Sequence, residues 1–270
     1  MFSMERKISF IGVGKMGGSL LERLISTGLV SKDNVMACDI NRDRLNDLRQ
    51  RLGIMISQDN KEGVRFGDIV VIAVMPKVVR SVLEEIRQEV LESKTIVSVA
   101  ALIPIETIEN IIQAKIGVVR IMPNIPSLVG SGFNLVCFGN FLKEQDKQFI
   151  RNMFAVWGEY REVDEDKMNL YTVISAMGPT YFTPFLDVLV RFGVEKGLTE
   201  AEAREVACLT LKGTAELISK VPSSIEDLKN MITSQPLKEK EQELKILFKE
   251  TLEKTLNEIE IGSRKLSQAK

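Results

Sequence analysis

Residues Lys7 to Ile25 constrain the chain more than any other stretch. A β-branched run, Lys-Ile-Ser-Phe-Ile (Lys7 to Ile11), passes into Gly12-Val-Gly-Lys-Met-Gly17 and then into the amphipathic Ser19 to Ile25. The pattern is a strand, a glycine turn and a helix. Gly12 permits the tight turn, Gly14 lets backbone N–H groups approach a pyrophosphate, and Gly17 lets the helix close on the strand. Lys15 and Met16 belong to the same turn, and the helix N-terminus that they open favours an anion. Three glycines alone define little more than a turn. What adds weight is Asn34 to Asp39, which reads as a second strand ending in an acid about 20 residues beyond the last glycine, where a ribose hydroxyl lies in dinucleotide sites.

At 270 residues the chain has room for two cores, and 44% hydrophobic with 27% charged residues describes a globular protein. Its 36 basic and 37 acidic residues give a net charge of −1, so no bulk field favours nucleic acid or an anionic membrane. No apolar run stands out as membrane-spanning, and the cytoplasm is the default location. Three cysteines, Cys38, Cys137 and Cys208, are too few and too scattered for a disulfide framework or a zinc site and read as small core residues. Histidine is absent altogether. That removes the commonest general acid/base and metal ligand, so the chemistry must lean on a cofactor.

After Asp39, leucines at helical spacing predict a helix over Arg42 to Leu52, stopped by Gly53. Strands follow at Ile54 to Ser57, Asp68 to Val74, Thr95 to Val99, Gly117 to Met122, Gly132 to Gly139 and Glu159 to Val163. Helices fall at Val78 to Leu91, Pro104 to Ala114 and Lys143 to Val156. This alternation specifies a doubly wound, Rossmann-type α/β sheet over residues 1–163. Ligands in such sheets sit beyond the carboxyl ends of the strands. The cofactor candidates are therefore Asp39 and Arg42, Ala73, Val74 and Pro76, Ala100, and Asn124, together with the glycine turn.

Beyond Asp164 the chain predicts helices only, so residues 164–270 form an all-α domain. Pro179 to Arg191 is apolar nearly all round and should be buried on every side. Gly197 ends that helix, and Thr199-Glu-Ala-Glu202 is a capping box for the next. A short helix begins near Pro222, and a long charged one runs from about Lys238 to Leu266. Few partners exist for an all-round apolar helix in a region this small, so a second subunit is expected to cover it; a larger intrachain bundle is the rival.

These residues resemble the pyrroline-5-carboxylate reductase family along nearly the whole chain. The similarity rests on Ile11 to Gly17, Asn60-Lys-Glu62, Ala73-Val74 with Pro76, Ser98-Val-Ala-Ala101, and Arg120-Ile-Met-Pro-Asn-Ile-Pro126. In the helical half it rests on Ser175 with Gly178-Pro179 and Tyr181, Gly193 to Leu198, and Asp227 to Ser234. The resemblance implies an N-terminal dinucleotide domain that binds NAD(P)H, with Asn60 at the cofactor. It also implies a helical domain that intertwines in a homodimer or larger homo-oligomer, and hydride transfer to the C=N bond of a small cyclic imine, as in proline biosynthesis. Ser175, Thr180 and Thr233 are the catalytic candidates it supplies.

The chain also departs from that pattern. The family's Ser-Ser-Pro-Gly-Gly-x-Thr loop, whose backbone N–H groups hold the substrate carboxylate, stands here as Thr233-Ser-Gln-Pro-Leu-Lys-Glu239. Pro236 has no N–H and cannot take the place of a glycine in an anion nest. Lysine usually stands where Met75 is, and glycine where Leu102 is. Several residues keep two readings. Asn124 either lines the site or caps its own turn; Ser175 and Thr180 either meet substrate or cap a helix. Lys196 resembles the catalytic lysine of β-hydroxyacid dehydrogenases but fits a helix end better. Asp39 favours NADH, while the resemblance favours NADPH. The alternatives to imine reduction are a different imine or carbonyl substrate, or cofactor binding without turnover.

Overall fold

The computed structural model describes residues 6–268. The chain divides into two units, one of residues 6–176 with 256–268, the other of residues 177–255.

The first unit alternates strands and helices as the periodicity requires. In order they are β1 (Ile8–Ile11), α1 (Lys15–Ser26), β2 (Val35–Cys38), α2 (Arg42–Leu52), β3 (Met55–Ser57), α3 (Asn60–Phe66), β4 (Ile69–Ile72), α4 (Pro76–Ile86), β5 (Thr95–Ser98), α5 (Ile105–Ile112), β6 (Gly117–Met122), β7 (Gly132–Phe138), α6 (Glu144–Trp157) and β8 (Gly158–Glu162). The eight strands form one sheet in the order β3-β2-β1-β4-β5-β6-β7-β8. All neighbours are parallel except β6 and β7. The order reverses between β1 and β4, which makes the crevice above β1 the switch point where ligands bind.

Strands β1, β2, β4 and β5 are buried along their whole length, as central parallel strands with helices on both faces should be. Leu20, Leu21 and Leu24 of α1 pack on one face with Leu45, Leu48, Phe154 and Trp157. Val79, Val82, Leu83 and Ile86 of α4 pack on the other with Ile105, Ile108 and Ile112. Trp157 is a core residue, fully buried with its indole N–H on the Leu20 carbonyl at 3.1 Å. Helix α3 escapes sequence patterning because it is one short segment interrupted by Gly63. That glycine is what brings it onto the sheet, since a Cβ there would lie 2.5 Å from Cys38 Sγ.

By its contacts the first unit runs on past Asp164 as far as Ala176. A 3-10 turn, α7 (Met168–Tyr171) and a π-helical turn (Thr172–Ala176) follow β8, and Met168 is fully buried in the core beside α4 and α5. The end of the last helix, α11 (Glu241–Gln268), also belongs here: Leu266 packs against the same core.

The second unit holds α8 (Gly178–Glu195), α9 (Glu200–Lys220), α10 (Ile225–Asn230) and the first half of α11. Thr199 and Glu202 form the expected reciprocal capping box. Gly193 lets α9 approach α8, because a Cβ there would sit 3.0 Å from the Ala203 side chain. Helix α8 is not enclosed within its own chain, where Phe185 is 59% and Val188 64% exposed, which leaves its apolar face free for a second subunit. One expectation needs correction here. Cys208 is not a core residue but exposed, because α9 buries only Ala203 and Ala207. Moreover, Glu165–Glu195, at mean hydropathy 1.3, is long and apolar enough to cross a membrane by length and composition. Sequence reading missed that length because the stretch mixes 3-10, α and π segments, which blurs a single helical period.

Candidate cofactor and substrate site

The glycine turn sits at the switch point. Gly12 leaves β1 with φ +89°, and a Cβ on it would fall 2.7 Å from Val74 Cγ1. A Cβ on Gly17 would strike the Gly12 carbonyl oxygen and come within 2.8 Å of Ala73 Cβ, so α1 can pack this close only with glycine there. Around Gly14 there is nothing within 4 Å. The chain thus keeps open space at the one glycine whose surroundings a diphosphate needs. Helix α1 has no side-chain cap and no acid in its first turn, which leaves its positive end to an anion.

A cavity of about 440 Å³ opens beside this turn. Gly12, Gly14, Asp39, Asn60, Ala73 and Val74 line it, so six of the anticipated cofactor residues converge. Ile40, Met75, Val78 and Val82 supply apolar walls suited to a flat base, and Asn41 and Arg44 complete the rim. Arg44 had not been singled out from the sequence. The signal was its place three residues after the helix cap Asn41, whose side chain accepts the Arg44 N–H. A second cavity of about 360 Å³ is lined by Glu106, Glu109, Glu162, Asp164 and Glu165, whose carboxylates would repel a pyrophosphate. Among the described residues no cluster of acidic, cysteine or histidine side chains is arranged to hold a metal.

Asp39 is 92% buried at its side chain and accepts three hydrogen bonds from protein. Its Oδ2 accepts the Val13 N–H at 2.9 Å and Arg44 Nη1 at 3.2 Å; its Oδ1 accepts the Asn41 N–H at 2.8 Å. The remaining candidates lie outside the cavity lining. Lys15 opens α1 and is exposed, while Met16 packs on the core. Pro76 starts α4, Arg42 starts α2 on the surface, and Ala100 is buried after β5. Cys38, beneath the turn, is no nucleophile: burial, with Glu62 and Asp59 nearby, pushes its thiol up to about 12.

Asn124 and Ser175 come together, but as ties within the first unit. Asn124 Oδ1 accepts the Phe133 N–H at 3.1 Å and its Nδ2 reaches the Ser175 carbonyl at 3.5 Å, while Ser175 Oγ donates to the Phe133 carbonyl at 3.2 Å. Leu102, after β5, holds φ +70°, so the backbone keeps a glycine-like conformation with a leucine in it. Such a residue costs roughly 1–3 kcal/mol and needs support. Ser263 of α11 supplies some, its hydroxyl meeting the Leu102 carbonyl at 3.3 Å.

In the second unit, Thr180 donates to the Met177 carbonyl at 2.6 Å, and Thr233 is exposed. Lys196 follows the last turn of α8 with its ammonium 5.6 Å from the centre of the Phe192 ring, as a helix-end lysine should be. Gln235 Nε2 donates to the Lys229 and Ile232 carbonyls, both at 3.2 Å, which closes the end of α10. Lys240 is paired with Glu243 at 3.0 Å. Hydrogen bonds from Lys229 and Lys245 hold Glu241 down to about 2.

A parallel sheet with a glycine turn at its switch point, joined to an all-helical C-terminal unit, defines an NAD(P)-dependent oxidoreductase of Rossmann type. Residues 7–102 match the family model described as NADP oxidoreductase coenzyme F420-dependent. Residues 165–236 match that for pyrroline-5-carboxylate reductase dimerisation. Pyrroline-5-carboxylate reductase of Methanosarcina acetivorans is 33% identical over 230 residues, 85% of each chain. The crystal structure of Plasmodium falciparum pyrroline carboxylate reductase with NADP bound superposes with a TM-score of 0.84 at 27% identity, covering 98% of this chain and all of that one. The Coxiella burnetii pyrroline-5-carboxylate reductase structure gives 0.77 at 26%, over 98% of this chain and 100% of its own. The chain belongs to the pyrroline-5-carboxylate reductase family. It is an NAD(P)H-dependent oxidoreductase acting on a C=N bond, and its C-terminal domain is of a dimerisation type, which supports oligomerisation.

Proposed function

We propose that the protein reduces the C=N bond of a small cyclic imine of the pyrroline class, and that it works as a homodimer in the cytoplasm. The observation that carries the reading is the cavity at the glycine turn, in a chain whose helical half matches the dimerisation domain named for pyrroline-5-carboxylate reductase. NAD(P)H supplies the hydride when bound. The first turn of α1 and the open space at Gly14 would hold its diphosphate, and Ile40, Val78 and Val82 would enclose its base. No histidine is required, because a protonated imine is already electrophilic at carbon, and the protein need only position the ring and exclude water. Thr180 and Thr233 are the hydroxyls we assign to substrate, while Ser175 ties the π-helical turn to β7.

Oxidation of reduced cofactor on adding pyrroline-5-carboxylate, the compound for which the relatives are named, or related cyclic imines is the direct measurement. Imine-dependent oxidation with any of them is the expected result. Tight cofactor binding without turnover on the whole panel would sink the reading and favour a binding protein.

A further inference from the structure

An acid at the end of β2 ordinarily accepts the two ribose hydroxyls of NADH and repels the 2′-phosphate of NADPH. Asp39 occupies that position, yet its carboxylate faces the glycine turn. It accepts Val13 N–H, Asn41 N–H and Arg44 Nη1 within 3.2 Å, leaving about one of roughly four acceptor sites. Only 8% of the side chain is exposed, so it cannot swing outward without releasing the turn. The charge presented to the cavity rim is instead that of Arg44, whose side chain is 44% exposed and which lines the cavity beside Asn41. One edge of its guanidinium is oriented by Asp39, and the planar fork matches a phosphate.

We propose that Arg44 selects the cofactor by taking the 2′-phosphate of NADPH, and that Asp39 is a strut that holds the phosphate turn and aims Arg44. Asn41 contributes rigidity: its side chain caps α2 through the Arg44 N–H at 3.0 Å, fixing the backbone from which the guanidinium projects. Asn60, on the same cavity wall, is held by Glu85 at 3.0 Å and adds no positive charge. Asp43, in the first turn of α2, is an exposed acid that Arg42 and Arg44 outnumber. The inference rests on the cofactor-cavity reading and is independent of which imine is reduced.

Calorimetric binding without imine tests it. Wild type should bind NADPH at least roughly tenfold tighter than NADH, and 2′,5′-ADP tighter than 5′-AMP by a similar factor, with the difference shrinking at high salt. Arg44→Ala should lose roughly tenfold or more for NADPH while NADH stays within about threefold, and Arg44→Lys should fall between. A thermal melt controls for folding. Should Arg44→Ala fail to fold, the 2′,5′-ADP to 5′-AMP comparison on wild type still decides. Preference for NADH, equal binding of the two adenosine phosphates, or equal losses of both cofactors in Arg44→Ala would overturn the proposal. Failure to bind any adenosine nucleotide would instead remove the cofactor-cavity reading beneath it.

Discussion

Gly14 and Gly17 lie three residues apart in one turn, yet the structure predicts opposite consequences for the same substitution. A methyl group on Gly14 meets nothing within 4 Å, so Gly14→Ala should leave the melting temperature unchanged while weakening cofactor binding. A methyl group on Gly17 meets Gly12 backbone and Ala73 Cβ, so Gly17→Ala should destabilise the fold by about 1–3 kcal/mol. Thermal melts and cofactor titrations of both variants check this, and an unchanged cofactor affinity in Gly14→Ala would remove the turn from the binding site. Spacing alone revealed the turn and Asp39. What Asp39 does was not legible, because the direction of a carboxylate depends on the Arg44 guanidinium and on the Val13 N–H brought to it by the fold. The same holds for Asn124 and Ser175, whose mutual contacts join residues 51 positions apart.

Among elements, the central parallel strands and the amphipathic helices were readable because burial on both faces imposes continuous apolar runs and helices impose their own period. Helix α3, the antiparallel turn into β7 and the π-helical turn were not, since each is short or set by pairing partners far along the chain. The segment between α10 and α11 is where family pattern and chain disagree most. Its Gln235 side chain closes α10, Pro236 offers no N–H, and Lys240 is held by Glu243, so it presents no nest for a carboxylate. Two or three missing charge-assisted hydrogen bonds, at roughly 1.5–3 kcal/mol each, would weaken transition-state binding about a hundredfold or more. Turnover of pyrroline-5-carboxylate should accordingly be slow, with kcat/KM below about 10⁴ M⁻¹s⁻¹. The combined Gln235→Pro, Pro236→Gly, Leu237→Gly, Lys238→Thr and Glu239→Thr variant should recover part of it. Wild-type efficiency above that level would mean that the carboxylate is held elsewhere.

At the scale of the whole molecule, the helical unit exposes more apolar side chain than a solitary globular chain tolerates. Phe182, Phe185, Val188 and Phe192 of α8 are all at least half exposed. If a second copy covers this face, Phe185→Asp should dissociate or unfold the assembly, because a buried unpaired charge costs several kcal/mol. Light scattering distinguishes the cases: a wild-type monomer at micromolar concentration, or a Phe185→Asp protein of unchanged mass and melting temperature, would refute the covered face. The second consequence of architecture concerns time. Leu102 and Ser263 meet across 161 residues, and Leu266 packs into a core otherwise built by residues no later than Ala176. During synthesis, which releases about 5–20 residues each second, the strained loop after β5 stays without this brace until the 161 residues that separate it from Ser263 have been made. The cofactor-binding half opens with β1 yet is completed only once the end of α11 has been made.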